Sequence, residues 1–491
     1  MSLQYPYWLS ALIGPREVAD LYKLIGRSSE VFYYTFPKKI PNYNNISGDS
    51  KGFSQLTEKQ QENFITALSY ISTITAIRFE YSADPFRSNT LAIAINNQTE
   101  KNSLGYAYTP ETNFIGGDIF ISNHPSNETL SEGTEGALTL VHELGHALGL
   151  KHPHEEAEGM VPVSVLPREE DTVANTVMSY EETTLENFKF EFNHLDIAAL
   201  QYIYGPNPNT RASDDIYEIS PTQANFIWDG AGVDTIDASN LESGVTLHLT
   251  PGFHDFVGES AASIVTAPGQ ITVNFGTTIE NVIGSAFNDA LFGNAHANVI
   301  MGNGGSDTID GGDDVDVALY AESLSAITLS SNKEDDSVIW EITLANGDKD
   351  TLVNIERLSF NDTRVALDLD GNAGSTAKLL GAFLGGTGVS KKSFVGIGLQ
   401  YLDEGGTYEE LMELAISTVF GETPNSRTVI STFYENLTGQ AAPESVVATY
   451  ASLLDDGDLS LLSLALQAAD NENNLLNIDL VGLTSTGIEY S

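Results

Sequence analysis

Four consecutive nine-residue units, beginning at Gly284, Gly293, Gly302 and Gly311, constrain the fold of this chain more than any other stretch. Their sixth positions read Asp289, Asn298, Asp307 and Asp316, and their eighth read Leu291, Ile300, Ile309 and Ala318. Glycines allow a tight turn whose carbonyls face inward. The acidic sixth residue adds anionic oxygens, so each turn offers hard ligands suited to calcium. The aliphatic eighth residue points the other way and stacks into a core. With one loop and one short strand per unit, two units make one coil of a parallel β-roll. Loops two units apart then share an ion: Asp289 with Asp307, and Asn298 with Asp316. The second pair is the weaker, because Asn298 brings no charge. An isolated earlier copy reads Asp229-Gly230-Ala231-Gly232-Val233-Asp234-Thr235-Ile236-Asp237.

Charge obeys the same logic. Between Arg211 and Lys333 there is no Lys or Arg, and the whole chain sets 22 basic residues against 68 acidic ones, a net charge of -46. Such a chain lacks the basic surface that displaces counterions from phosphate, which excludes a nucleic-acid partner. It repels itself unless cations are bound. Without them the repeats are too acidic and too poor in large apolar residues to fold. The chain has no Cys, so disulfides and thiolate metal ligands are excluded. No apolar run approaches the roughly 18 residues that span a membrane. The opening Met1-Ser2-Leu3-Gln4-Tyr5 has no basic leader region, so export would need a route other than a cleaved N-terminal signal.

A second motif carries chemistry. In His142-Glu143-Leu144-Gly145-His146-Ala147-Leu148-Gly149-Leu150-Lys151-His152, residues four apart on a helix stand on one face. His142 and His146 can present imidazole nitrogens to one metal. Glu143 points roughly 100° round the helix, too far to ligate but near enough to take a proton from the attacking water. Gly149 can end the helix, and the returning chain lets His152 supply a third ligand. Three protein ligands leave one position open, as in catalytic rather than structural zinc sites. Thr134 is placed to cap this helix, and Leu138, Val141, Leu144 and Leu148 give it a buried face. His154 and His194 read as loop and capping residues.

The remaining chain divides by composition. Residues 1–30 hold one amphipathic piece, either a short prosegment or the first element of the domain behind it. Residues 31–205 mix strand-like runs with helical ones, including a capping box at Thr57-Glu58-Lys59-Gln60, and fit one α/β domain. Residues 206–365 hold the β-roll and a β-rich cap. Residues 366–491 are helical in pattern, through segments such as Tyr408 to Phe420 and Ser460 to Ala469. Their opening, Asp368-Leu369-Asp370-Gly371-Asn372, has the start of a calcium loop but lacks its later Gly and Glu.

From about Val31 to Tyr320 the chain resembles the serralysins, metzincin zinc proteases secreted by Gram-negative bacteria. Beside the zinc motif, Thr176-Val177-Met178-Ser179-Tyr180 resembles that family's Met-turn. Asp196 to Gly205 resembles its closing helix, and Gly105-Tyr106-Ala107-Tyr108 its substrate-side strand. The resemblance implies a multidomain chain: an α/β metzincin catalytic domain, a parallel β-roll of nonapeptide repeats and an all-α C-terminal domain. It implies His142, His146 and His152 as zinc ligands, Glu143 as general base, Met178 as an apolar floor and Tyr180 as a fifth ligand that stabilises the reacting centre. It also implies calcium between Arg211, Ser213 and Asp215 and the loop of Asp229, Ala231 and Asp234, with a neighbouring site at Gly232, Asp234, Thr278 and Glu280. Ser213 and Asp215 stand where the family usually has Gly and Thr, which is harmless if the Ser213 carbonyl does the ligating. The helical tail departs from the family. It resembles helical domains behind β-rolls of other exported proteins, and its end is a candidate type I secretion signal.

These readings give a monomeric, secreted zinc endopeptidase acting on extracellular proteins, exported by a type I apparatus and holding several structural calcium ions. The competing class is a calcium-dependent surface or adhesion protein with the protease domain as scaffold. Tyr106 and Tyr108 are open between strand packing and substrate contact.

Overall fold

At the start of helix α3 (Glu58–Ile74) the Thr57 hydroxyl accepts the Gln60 N–H while the Gln60 side chain accepts the Thr57 N–H, the capping box that the spacing predicts. The computed structural model describes residues 5–27, 31–44, 46, 48–98, 102–111, 113–155, 157–158, 161–162, 164–181, 187–334 and 337–491. The expected absence of a leader at Met1 to Gln4 lies outside them. The chain divides into two units, Met1–Thr235 with Thr250–Ile279, and Ile236–Leu249 with Glu280–Ser491.

In the first unit a five-stranded sheet runs in the order β2 (Arg78–Tyr81), β1 (Val31–Thr35), β3 (Thr90–Asn96), β5 (Ile119–Ser122), β4 (Gly105–Ala107). All neighbours are parallel except β4, which lies antiparallel on β5 at the edge. Both faces of the sheet need cover, so β3 and β5 are nearly all apolar and buried. Phe64, Leu68 and Ile71 of α3 join the same core as Leu140, Val141 and Leu144 of the zinc-motif helix α4 (Glu135–Ala147), and as Leu195 and Leu200 of α5 (His194–Tyr204).

The amphipathic N-terminal piece is two helices, α1 (Tyr7–Ile13) and α2 (Arg16–Arg27). Trp8, Leu9, Leu12 and Ile13 are at most 2% exposed and sit in that core. The Leu12 carbonyl accepts the Lys151 N–H at 2.7 Å. A Cβ at Gly149, whose φ is +105°, would lie 2.7 Å from the Tyr22 ring. The helix stop that aims His152 is therefore seated on residues 12 and 22. Leu12→Ala is expected to cost about 2–5 kcal/mol of stability, as truncation of a fully buried Leu does. A urea-unfolding midpoint unchanged from the wild type would show that the segment is dispensable.

The second unit carries the nonapeptide repeats, and its strands form two parallel ladders. One joins Asn281–Ile283, Val299–Met301, Val317–Leu319 and Arg357–Ser359. The other joins Val245–His248, Ala290–Asn294, Thr308–Gly312 and Lys349–Val353. Leu291, Ile300, Ile309 and Ala318 are at most 1% exposed, the inward stack that the eighth positions predict, and Leu352 and Leu358 continue it. Antiparallel strands Thr328–Glu334 and Ser337–Thr343 finish one sheet.

The tail is helical from Asn372–Leu384 onward, and Lys392–Asp403 is a helix that the sequence pattern does not single out. The description of this region as all-α needs one amendment. The last strand, Ile488–Tyr490, pairs antiparallel with Arg364–Ala366, which itself pairs with Arg357–Ser359. At the loop of Asp368 the Arg357 guanidinium, on a residue 2% exposed, bonds Asp368 and donates from Nη2 to both Asp403 oxygens at 2.7 and 2.9 Å. That cation supplies the positive charge beside Asp368, where the calcium-loop pattern is incomplete.

Candidate active site and metal centres

Helix α4 puts His142 and His146 on one face, and the turn at Gly149 returns His152 to meet them. The Nε2 atoms of His142 and His146 lie 3.2 and 3.0 Å from that of His152. Each Nδ1 is already engaged. His142 Nδ1 donates to the Val177 carbonyl at 2.8 Å and His146 Nδ1 to the Leu150 carbonyl at 2.8 Å, while His152 Nδ1 meets Glu155 Oε1 at 2.8 Å. This fixes the tautomer in which every Nε2 presents a lone pair to the same point. Burial keeps all three imidazoles neutral, lowering His142 and holding His146 and His152 at about 3. Neutral, convergent imidazoles are what a zinc ion binds. Tyr180, an exposed residue, brings its hydroxyl to 2.6 Å from His152 Nε2.

Glu143 is 4% exposed and its Oε2 has no hydrogen-bond partner. Burial pushes its carboxyl up to about 8, and a cation at the histidines would draw it down again. A Cβ at Gly105 would lie 2.8 Å from Glu143 Oε1, so edge strand β4 reaches the base only because residue 105 has no side chain. A cleft of about 570 Å³ opens here, bordered by Tyr106, Tyr108, Glu143, His146, His152 and Tyr180.

Met178 is fully buried, and a Cβ at Gly145 would lie 2.5 Å from its sulfur, so it packs against the ligand helix. Asp196 holds that turn: it accepts the Thr176 hydroxyl at 2.5 Å, the Val177 N–H at 2.8 Å and the Asn193 N–H at 3.0 Å. Thr134 stands at the helix N-cap but gives its hydroxyl to the Ser131 carbonyl. His194, at the start of α5, stacks on Phe226. The Tyr106 and Tyr108 hydroxyls bond the two oxygens of buried Asp49 at 2.7 and 3.0 Å, and Tyr106 stacks on Phe120.

Of the first calcium group, Asp215, Asp229 and Asp234 bring carboxylate oxygens within 4.8 Å of one another. A Cβ at Gly232 would lie 2.4 Å from the Ser213 carbonyl oxygen and 2.9 Å from Asp234 Oδ1, and the Ser213 hydroxyl donates to Asp215 Oδ1 at 3.1 Å. The Arg211 carbonyl accepts the Gly230 and Ala231 N–H groups at 3.4 Å, and the Ala231 N–H also meets Asp229. Thr278 is exposed, and the Glu280 carbonyl accepts the Asn298 side-chain amide at 3.1 Å.

In the repeats each sixth residue bonds the next coil. The Asp289 N–H donates to Asp307 Oδ1 at 2.9 Å and the Asn298 N–H to Asp316 Oδ1 at 2.7 Å. The ladder does not stop there. The Asp307 N–H donates to Asp350 Oδ1 at 3.0 Å and the Asp316 N–H to Glu356 Oε2 at 2.9 Å. Asp307 Oδ2 and Asp316 Oδ2 are buried without partners, as anionic oxygens waiting on a cation are. A Cβ at Gly311 would lie 2.2 Å from the Asn354 carbonyl oxygen and 2.5 Å from Asp316 Oδ2. Sequence reading missed Asp350 and Glu356 because residues 320–344 interrupt the nine-residue period. A signal was present: Asp307-Thr308-Ile309 recurs as Asp350-Thr351-Leu352. Glu155 and Asp196 were missed as well, since neither lies in a ligand position.

Residues 50–177 match the matrixin (peptidase M10) family, and residues 282–318 match four copies of the RTX calcium-binding nonapeptide repeat. The chain is 30% identical over 297 residues to metallopeptidase AprA of Pseudomonas marginalis, covering 54% of this chain and 61% of the relative. It is 31% identical over 313 residues to serralysin of Proteus mirabilis, covering 56% and 62%, and 33% identical over 212 residues to serralysin C of Dickeya chrysanthemi, covering 38% and 42%. It thus spans about three-fifths of the length of the first two relatives. No helix among the described residues is long and apolar enough to cross a membrane. The half-buried His142–His146–His152 cluster lies inside the matrixin match and fits zinc, and the acidic ladders lie inside the repeat match and fit calcium: the chain carries a stretch that matches the matrixins followed by RTX calcium-binding repeats and is, over that span, similar to the serralysins.

Proposed function

We propose that this chain is a secreted zinc endopeptidase that hydrolyses peptide bonds of extracellular proteins, with calcium stabilising its β-roll. One observation carries the reading: three Nε2 atoms converge with their Nδ1 groups already engaged, beside a buried carboxylate with a free oxygen. Zinc bound there would acidify its water and polarise the scissile carbonyl. Glu143 takes the proton from the attacking water and passes it to the leaving amine. Tyr180 offers its hydroxyl to the developing oxyanion. Strand β4, antiparallel and at the sheet edge, pairs with an extended substrate through backbone hydrogen bonds, which read shape more than sequence. Tyr106 and Tyr108, tied to Asp49, form a fixed wall of the cleft.

Calcium would be held by the ladders of Asp289, Asp307 and Asp316, extended by Asp350 and Glu356, and by the group of Asp215, Asp229 and Asp234. Residues 31–205 act as the protease and 206–365 as the roll and its cap. A monomer that works outside the cell, where calcium is plentiful, fits the repeats, and type I export is the route the serralysin resemblance implies. Against a purely adhesive role stands the intact base Glu143, a residue that a scaffold does not need. Casein turnover by the full chain is expected to vanish with a zinc chelator and return with zinc. Turnover that ignores the chelator, or none with zinc restored, would overturn the proposal.

A further inference from the structure

The three histidines are not held alike. His142 and His146 donate to the main-chain carbonyls of Val177 and Leu150, which the surrounding backbone fixes in place. His152 lies past the helix stop, on a loop, and its Nδ1 meets a side-chain carboxylate, Glu155 Oε1, at 2.8 Å. The loop is drawn around that contact. The Glu155 N–H donates to the His152 carbonyl at 3.3 Å, and the Lys151 ammonium, on a residue 5% exposed, donates to the carbonyls of both His152 and Glu155 at 3.0 Å. Resting on the zinc reading above, we infer that Glu155 is a positioning residue for the third ligand: its carboxylate fixes the His152 tautomer and ring plane and raises the basicity of Nε2. A carboxylate behind a metal-bound imidazole does both, and its loss typically weakens metal affinity about 10–100-fold.

The test uses apoprotein of the full chain, titrated with zinc against a chromogenic chelator of known affinity. Glu155→Ala is expected to weaken zinc binding by about 10-fold or more. Glu155→Gln keeps an acceptor oxygen for Nδ1 and is expected to lose clearly less. Glu155 is exposed, so both variants should keep the wild-type circular dichroism spectrum. If Ala has the affinity of the wild type, the positioning role is wrong. If Ala and Gln lose affinity equally, net charge rather than the hydrogen bond acts, and the inference also fails. Failure of the wild type itself to bind zinc would instead overturn the zinc reading.

Discussion

Replacing Glu143 by Gln is expected to lower kcat for peptide hydrolysis by about 10²–10⁴-fold, the usual contribution of a positioned general base, with zinc content and KM little changed. Glu143 Oε2 makes no hydrogen bond, so an amide of the same shape breaks none at that oxygen. The side chain is clamped by the approach of Gly105, where a Cβ would lie 2.8 Å from Oε1. What the amide cannot do is take a proton. Since the loss lies in the chemical step and not in binding, kcat and kcat/KM should fall together. Steady-state kinetics beside a zinc assay checks this. A Gln variant with wild-type kcat would remove Glu143 from the mechanism.

Chelation of calcium should cost the second unit its strand content, read by circular dichroism, and calcium should restore it. The carboxylates explain why. Burial pushes Asp307 up to about 8, with Asp350, Asp289 and Asp348 adding repulsion, and Asp316 up to about 7, with Glu356 the largest acidic contributor. A carboxyl whose folded value is raised above 3.8 binds protons more tightly folded than unfolded. It therefore favours the ion-free fold at low pH and progressively ceases to do so as pH rises from about 4 to 8. Chelated protein should regain part of its strand signal on moving from pH 8 to pH 5, while calcium-loaded protein should change little across that window. A chelated roll equally folded at both pH values would show that these carboxylates do not need a cation.

Period and polarity make the roll legible in the sequence, because each unit repeats one Gly turn, one acid and one inward aliphatic. What the period could not show is a coil built from residues far apart in sequence. Asp350 lies 43 residues beyond Asp307, after the insertion that ends in the antiparallel pair Thr328–Glu334 and Ser337–Thr343, so register had to be seen in space. The histidine cluster was legible for the opposite reason: helical spacing alone brings His142 over His146. Their supports were not, since Val177, Leu150 and Asp196 act through backbone carbonyls or a buried carboxylate that no spacing rule marks. The calcium-loop pattern at Asp368 is incomplete in the sequence, but its partner, Arg357 on a neighbouring strand, carries no local signal. The closing strand Ile488–Tyr490 was invisible in a tail read by helical period, being only three residues long and paired with a distant edge.

The most direct test of a catalytic zinc in this cleft is anomalous diffraction at the zinc edge from crystals of the full chain. The prediction is a single strong peak about 2.0–2.1 Å from the Nε2 atoms of His142, His146 and His152. A zinc-supplemented crystal with no peak among those three nitrogens, or with zinc bound elsewhere alone, would contradict it.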